Sequence, residues 1–294
     1  MKKQSLIRII VSTIGAIGTI SLTAQPSFAQ SSARNLMPDG SHDMYLGLGL
    51  ISRPHYEGAE KNKRSPLLLA QIQWSNGLFI SGMSAGWHLS ENPKFEYGPL
   101  FQIEPSRTPN GLSNSIGTPE SIQSDITGPN FFASTKNTNK LVGLTDIHTR
   151  LIAGGFHHLQ IGTHTKLINV LSYGYGNDSR GLRLTTDIRY SLDDLFPHHK
   201  LSLAAGVNTV NTAYNRSYFG VSDTEAGRSL NPSYRPGGGI KDLHADLTWN
   251  WNWSADWMLT SKIKLSHLVG GAGDSPLVER RSNFYASTAI AYRF

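Results

Sequence analysis

The chain has 294 residues, no cysteine, and a formal net charge of +6 from 27 lysines and arginines against 21 aspartates and glutamates. The absence of cysteine excludes a disulfide framework and thiolate chemistry. The positive charge does not indicate a nucleic-acid partner, because the sequence contains no basic cluster or basic helix.

The N-terminus has the pattern of a secretory signal peptide. Basic residues in the first eight positions precede an uncharged run from Ile9 to Ala24, and Ser27-Phe28-Ala29 fits the small-x-small cleavage rule. We therefore expect residues 1–29 to be removed rather than retained as a membrane helix, which needs about 20 predominantly apolar residues. Removal leaves 24 basic and 21 acidic residues, so part of the positive charge belongs to the leader.

No later stretch is long and apolar enough to cross a bilayer as a helix. A mature membrane protein with this sequence would have to be a closed β-barrel, because lipid offers no partner to unpaired backbone groups. Residues 30–43 are polar and without periodicity, which predicts a periplasmic lead-in, and the barrel is predicted for residues 44–294.

Alternation of apolar and polar residues predicts the strands of this barrel. In the first half they cover 44–51, 66–74, 78–87 and 95–104. The second and third are joined by a tight turn at Ser75-Asn76-Gly77. Residues 105–140 are rich in Pro, Ser, Thr, Asn and Gly, which is ordinary for an extracellular barrel loop.

The second half is predicted to contain seven more strands. They cover 141–154, 159–173, 182–192, 200–212, 243–253, 257–266 and 283–294. Short connections are expected at 155–158, 193–198 and 252–255, and longer ones at 174–180, 213–238 and 270–281. Short turns of such barrels face the periplasm, so the long segments are expected to face outward.

The two faces of these strands differ sharply in polarity. One face of the 243–253 strand carries Leu243, Ala245, Leu247, Trp249, Trp251 and Trp253, and the other carries Asp242, His244, Asp246, Thr248, Asn250 and Asn252. This division predicts an apolar band that faces lipid and a polar lumen. Trp251, Trp253 and Trp257 bracket a turn and are expected to form an aromatic girdle at one membrane surface.

Charged residues of both signs fall on the polar face of neighbouring strands. They are Arg183, Asp187, Arg189, Asp242, Asp246, Lys262 and Lys264. Such residues either line a diffusion channel or pair across the lumen and close it. We expect pairing, because buried charges are tolerated mainly when they have partners.

The clear strands number eleven, whereas a single-chain bacterial barrel needs an even number. We therefore predict an all-β, antiparallel, up-and-down transmembrane β-barrel of about 12 strands, with ten as the alternative. Residues 218–221 and 129–137 are candidates for the missing strand.

The last strand has a pattern typical of outer-membrane barrels. Phe294, Tyr292, Ile290, Thr288, Ala286 and Phe284 share one face. A soluble chain seldom ends on such a strand, because terminal residues fray unless a partner holds them. We expect the strand ending at Phe294 to be recognised by the barrel-assembly machinery, and outer-membrane lipid to cover the apolar face.

Five sequence blocks stand out by their residues, order and spacing. They are Pro54-His55-Tyr56-Glu57-Gly58-Ala59, Tyr218-Phe219-Gly220-Val221, Tyr234-Arg235-Pro236-Gly237-Gly238-Gly239-Ile240-Lys241-Asp242, Asp274-Ser275-Pro276-Leu277-Val278 and Tyr292-Arg293-Phe294. Together these blocks resemble the MipA/OmpV family, the MltA-interacting protein family of outer-membrane proteins. The resemblance implies an outer-membrane barrel that acts as a non-catalytic scaffold between a lytic transglycosylase and a bifunctional murein synthase. Adhesins or osmotically regulated surface proteins are the alternative that the family offers.

The histidines do not indicate a metal site or an enzyme. His157-His158 and His198-His199 are adjacent pairs, and adjacent strand residues point to opposite faces, which favours polar turn residues. A barrel hydrolase would use Ser with one of His148, His164, His244 or His267, but no motif fixes a Ser beside a His. Gly237-Gly238-Gly239 lacks the strand-and-helix setting of a phosphate loop. No catalytic, cofactor or metal residue is predicted.

Overall fold

The computed structural model describes residues 41–90, 92, 94–109, 111–112, 116–117 and 140–294. The predicted signal peptide, residues 30–40 of the lead-in and the candidate strand at 129–137 lie outside these residues. None of the described helices is long and apolar enough to span a bilayer.

Fifteen strands and three short helices occur in the described ranges. The strands are β1 His42–Pro54, β2 Asn62–Trp74, β3 Leu78–Ser81, β4 Ser84–Trp87, β5 Phe95–Glu104, β6 Arg107–Thr108, β7 Gly111–Leu112, β8 Ile116–Gly117, β9 Arg150–Gln160, β10 Thr165–Tyr175, β11 Gly181–Phe196, β12 His199–Val210, β13 Gly239–Asn252, β14 Trp257–Leu268 and β15 Ser282–Arg293. The helices are α1 Thr212–Phe219, α2 Asp223–Ala226 and α3 Gly270–Gly273.

Twelve of these strands form a closed antiparallel barrel, as predicted. Their order is β1, β15, β14, β13, β12, β11, β10, β9, β5, β4, β3 and β2, and β2 pairs with β1 again. β6 and β7 form a separate two-stranded sheet, Arg107 of β6 also bridges to Ile147, and β8 pairs in parallel with β2. Closure leaves the wall without a free strand edge, because unpaired backbone groups at such an edge would be costly in lipid.

The barrel has two different ends. The turn end carries Ser41, the C-terminus, the connections 75–77, 161–164, 197–198 and 253–256, and the described residues between β4 and β5. The loop end carries the connections 55–61, 176–180, 211–238 and 269–281, together with residues 105–109 and 140–149 of the link from β5 to β9. The tight turn predicted at Ser75-Asn76-Gly77 is confirmed, with Gly77 at φ 88°.

The twelfth strand comes from the predicted strand 78–87. That segment forms two short strands, β3 and β4, around Gly82 and Met83, with Gly82 at φ 61°. Glycine tolerates this left-handed conformation, so the chain reverses there instead of continuing. Of the two candidates for a missing strand, residues 218–219 end helix α1 and are not a strand.

The predicted strand 141–154 and the predicted turn 155–158 are wrong. Residues 140–149 lie at the loop end, with only an isolated bridge at Ile147, and β9 runs unbroken through 155–158. The reversal lies instead at 161–164. A Cβ at Gly154 would lie 2.0 Å from the Leu171 backbone oxygen, so this glycine permits close strand contact rather than a turn.

Strand β1 closes the barrel against β15. Tyr45 pairs with Arg293 and Ser52 with Ala286, and Arg293 Nε donates to Asp43 Oδ1 at 2.6 Å. Strand β1 therefore starts at His42, inside the predicted lead-in 30–43. Gly47 and Gly49 face Ala291 and Ala289 across this seam.

Replacing Gly49 by Val should prevent stable closure. A Cβ at Gly49 would lie 2.1 Å from the Thr288 backbone oxygen and 2.5 Å from Ala289 Cβ, and both neighbours belong to the wall. Overpacking of this kind costs about 1–3 kcal/mol or more. The fraction of folded barrel, measured by the mobility of unheated samples in gel electrophoresis, should fall.

Gly162→Val provides the matched control, because no atom lies within 4 Å of a Cβ built there. Equal folded fractions for the two variants would contradict the close packing of β1 against β15 at Gly49.

Candidate functional site

The predicted division into a polar lumen and an apolar outer face is confirmed. On β13 and β14 the residues Asp242, His244, Asp246, Lys264 and Ser266 are buried in the lumen. The outer face of these strands exposes Leu243, Trp251, Trp253, Trp257, Ile263 and Leu265. The candidate functional surfaces are therefore the lumen, the two ends and the outer wall.

A histidine on the lumenal face of β13 lies between two aspartates. His244 Nδ1 lies 3.0 Å from Asp242 Oδ1, and His244 Nε2 lies 2.8 Å from Asp187 Oδ1. Gly206 separates Asp187 from His244 in the sheet, and a Cβ there would lie 1.9 Å from Asp187 Oδ1. The missing side chain of Gly206 thus lets Asp187 reach across one strand.

Neighbouring polar groups complete this network. Asn208 Nδ2 donates to both carboxylate oxygens of Asp242 at 3.0 Å, and the Thr185 hydroxyl donates to Asn208 Oδ1 at 2.5 Å. The side chains come from β11, β12 and β13, which are adjacent and present them to the same interior. Buried charges of this kind are tolerated because each carboxylate is hydrogen-bonded.

Lys241 connects the network to the loop end. Its Nζ lies 3.0 Å from Asp242 Oδ2 and 2.5 Å from Glu57 Oε1, and it stands 5.6 Å from the centre of the Tyr214 ring. Glu57 belongs to connection 55–61 and Tyr214 to α1. One buried ammonium group therefore ties two loop-end segments to the wall.

The expected pairing of lumenal charges is confirmed for several of the predicted residues. Besides Asp187 and Asp242, Lys262 Nζ lies 3.3 Å from Asp246 Oδ1. Arg183 and Lys264 lie against the Tyr175 and Tyr285 rings, at 4.6 and 6.0 Å from the ring centres. Arg189 lies on the same lumenal face of β11.

A second buried cluster surrounds Glu96 near the turn end. Glu96 lies 3.3 Å from His158 Nδ1, 3.4 Å from Lys166 Nζ and 3.9 Å from His88 Nδ1. The rings of Phe79 and Phe156 pack against His88 at 4.9 Å. No sequence motif marks this cluster, although Glu96 occupies an inward position in an alternating strand.

The loop-end connections fold into a cap. Ile152, Tyr175, Val210 and Leu268, from the walls of β9, β10, β12 and β14, pack in one buried cluster with Tyr214, Tyr218 and Phe219 of α1. Four separate parts of the wall thus converge on one helix. Arg107 donates to the backbone oxygens of Ser217 and Tyr218 at the carboxyl end of α1, where a cation is favourable.

Hydrogen bonds also join the cap segments to one another. Asn231 Nδ2 donates to the Lys140 oxygen and Arg228 Nε to the Gly143 oxygen, both at 2.7 Å. The Thr145 N–H donates to Glu225 Oε1 at 2.8 Å. Partial burial of Glu225 raises its pKa, but hydrogen bonds from the Ser222 and Thr145 N–H groups outweigh this and hold the pKa at about 2.

The four histidines considered for a barrel hydrolase lie in different surroundings. Both ring nitrogens of His244 are engaged by carboxylates, so His244 does not serve as a base for Ser266, its neighbour on β14. His267 contacts the Ser282 hydroxyl at 2.8 Å on the outer face. His148 is exposed at the loop end and His164 at the turn end. In the described ranges no group of three His, Cys, Asp or Glu residues could hold a metal ion.

The paired histidines separate as predicted, since His158 faces the lumen and His157 the outer surface. Both lie within a strand rather than a turn. Of the second pair, His198 forms the turn after β11 at φ 68°, and His199 begins β12. The three glycines 237–239 lead into β13, as a loop and strand entry.

An aromatic girdle lies on the outer face at the turn end, as predicted. His199 stacks 5.7 Å from both Trp249 and Trp251. The series of ring contacts then continues through Trp253, Trp257, Tyr292 and Phe294. Indole and phenol rings suit the membrane–water interface, because the ring is apolar while its N–H or O–H group stays in contact with water.

A closed twelve-strand barrel with an apolar outer band, an aromatic girdle and a polar lumen is a transmembrane β-barrel of the outer-membrane type. The family model described as "MltA-interacting protein MipA" matches residues 46–294. The chain belongs to this family, in agreement with the resemblance of its sequence blocks.

Solved structures with a similar arrangement include three membrane barrels. The KdgM porin has 9% identity and a TM-score of 0.41, covering 86% of this chain and 99% of that one. The translocator domain of autotransporter NalP from Neisseria meningitidis has 11% identity and a TM-score of 0.41, covering 89% and 91%. The Pseudomonas putida toluene transporter TodX has 10% identity and a TM-score of 0.35, covering 87% and 90%. A search of curated protein sequences finds no match.

Replacing Lys241 by Met should destabilise the cap strongly. The change leaves Glu57 and Asp242 without their shared cation, and breaking a buried ion pair costs about 3–5 kcal/mol. The thermal midpoint of unfolding in detergent should fall, and cleavage by added protease at the loop end should become faster. Lys200→Met is the control, because Lys200 is exposed. Equal midpoints for both variants would contradict the anchoring role.

The purified protein should not conduct like a general porin. Several charged side chains in the lumen are paired, and α1 packs against four parts of the loop-end wall. Planar-bilayer recordings should therefore show no large, steady conductance. The control is the detergent extract of cells that lack the protein. A large, steady conductance from the purified protein but not from this extract would show that the lumen is an open channel.

Proposed function

We propose that the protein is a non-catalytic scaffold of the outer membrane that brings a lytic transglycosylase and a bifunctional murein synthase together during peptidoglycan remodelling. The observation that carries the proposal is membership of a family whose description names an MltA-interacting protein. The geometry supports it because several lumenal charges pair with one another, which favours the ends and the outer wall as the working surfaces.

The turn end is the surface that we assign to the murein enzymes. Short turns of outer-membrane barrels face the periplasm, where peptidoglycan lies. The chain presents Ile161 and Thr163 in one exposed turn and Ser254 and Ala255 in another. The predicted connection 193–198 shortens to 197–198, because β11 continues to Phe196.

These turns offer little area. A stable protein interface usually buries about 800 Å² on each side. We therefore expect weak, reversible binding, strengthened by the predicted lead-in 30–43. Ser41, the lead-in residue directly before β1, lies beside the turn 75–77, because the Ser75 N–H donates to the Ser41 oxygen at 3.1 Å. Transient binding suits a scaffold whose partners must exchange.

A surface adhesin is the second candidate. The hydrogen bonds that join separate segments at the loop end favour it. The connected segments 140–145 and 228–231 form a rigid surface that exposes Val142 and Leu230. Rigid presentation lowers the entropy lost on binding a partner outside the cell. An osmotically regulated outer-membrane protein is a further alternative from the family.

Site-specific photocrosslinking in intact cells separates the two functions. A photoreactive residue at Thr163 probes the turn end and one at Leu230 the loop end, because both side chains are exposed. Phe156 and Asn231 are unsuitable positions, because both are buried. The scaffold function predicts capture of a lytic transglycosylase or a murein synthase from position 163 and not from position 230.

A third probe at Leu48, which is exposed on the outer wall, controls for random collision. Capture of neither murein enzyme from position 163, in cells where both enzymes are present, would refute the scaffold at this surface. Reproducible capture of a host-surface protein from position 230 would favour the adhesin.

A further inference from the structure

Three exposed cationic side chains lie at the loop end, where β2 and β15 begin. Lys61 directly precedes β2, Arg64 is the third residue of β2, and Arg280 lies two residues before β15. Within the described part of the chain, none of the three charged groups forms a hydrogen bond or an ion pair. These three residues are called the cationic margin below.

Backbone hydrogen bonds hold the two parts of the cationic margin side by side. The Glu279 and Arg280 N–H groups donate to the Gly58 oxygen at 2.8 and 3.0 Å. Asn62 Nδ2 donates to the Phe284 oxygen at 3.0 Å, across 222 positions of the sequence. The start of β2 is therefore fixed against the start of β15, and the three cations belong to one surface.

The cationic margin adjoins the apolar outer band. Alternation places Arg64 on the outward face of β2, four residues from Leu68, and Arg280 precedes Phe284 of β15 by four residues. Leu68 and Phe284 are exposed, as is Leu50 on β1, the strand between β2 and β15. The cations thus lie just beyond the loop-end edge of the lipid-facing surface.

The carboxylates nearby do not neutralise the margin. Glu279 Oε2 accepts the Glu60 N–H at 2.9 Å, and neither carboxylate forms an ion pair with the margin in the described part of the chain. Arg281 differs from Arg280, because its Nη2 lies 2.7 Å from Asp274 Oδ1. The margin therefore presents three cations to groups outside the protein.

We propose that the cationic margin binds the phosphate groups of a lipid headgroup in the outer leaflet of the membrane. The loop end lies in that leaflet, because the short turns of such barrels face the periplasm. Lysine and arginine form charge-assisted hydrogen bonds with phosphate oxygens. The acyl chains of the same lipid lie against the apolar band, whereas a soluble anion gains no such contact.

The lipid contact does not use the turn end, so it does not depend on the proposed scaffold function. It also gives the loop-end edge of the barrel a fixed depth in the membrane, because the phosphate layer and the hydrocarbon contact different residues of the same strands.

Native mass spectrometry of the folded protein in neutral detergent tests the proposal, with diphosphorylated lipid A as the probe. The test variant combines Arg64→Gln with Arg280→Gln. The matched control combines Lys94→Gln with Lys200→Gln, because both lysines are exposed at the turn end and the net charge changes equally. Binding should weaken by about tenfold in the test variant and stay unchanged in the control, since each basic residue near a charged lipid surface adds to the attraction.

Two measurements on the unaltered protein identify the bound chemistry without depending on the folding of any variant. Lipid A from which both phosphates have been removed should bind about tenfold more weakly. Inorganic phosphate at the same concentration should not displace the lipid. Gel mobility of unheated samples checks the folding of the variants. Equal binding by the test and control variants, equal binding of the two lipids, or displacement by inorganic phosphate would overturn the proposal.

Discussion

The structure depends on the demand that every backbone N–H and C=O group within the bilayer finds a partner in the protein. The pairing of β1 with both β2 and β15 meets this demand by joining the two ends of the sheet. Gly47 and Gly49 permit the join, because the β15 backbone lies where a larger side chain would have to fit. The outward apolar residues and the aromatic girdle then follow from a wall with lipid on one side.

Closure creates an interior that must also be stabilised. Alternation places about half of the strand residues inside, where their charges leave bulk water. Asp187, His244 and Asp242 offset this cost by bonding one another, and Lys241 extends the arrangement to the cap. The cap itself adds an apolar cluster around α1, so the loop end combines ionic and apolar stabilisation.

The sequence predicts the fold well where a residue's environment depends on its position in a strand. The two-residue period of β13 and β14 is enough to assign lipid and lumen faces, and the girdle follows from the positions of its tryptophans. Prediction fails at glycines, because a glycine serves either in a turn or within closely packed strands. Gly155 lies in a predicted turn but belongs to β9, whereas Gly82 forms a turn inside a predicted strand.

The lumenal sites were only partly predictable for a similar reason. Alternation identified Asp187 and Asp242 as inward, and pairing followed from the cost of buried charge. Their actual partners depend on register and on distant segments. Glu57 lies 184 residues from Lys241, and Arg107 meets α1 across more than a hundred residues, so no local pattern indicates either contact.

The wide sequence separation between the partners in the cap has a consequence for assembly. Hairpins such as β13 and β14 join neighbouring residues, whereas the bond from Tyr56 to the Leu277 oxygen spans 221 residues. Contacts between distant residues form slowly, because a long loop must close before they contribute. We expect the wall hairpins to pair first and the cap to form last. The lumen would then stay hydrated while the barrel inserts. Its charged groups would lose water only when their partners are already in place.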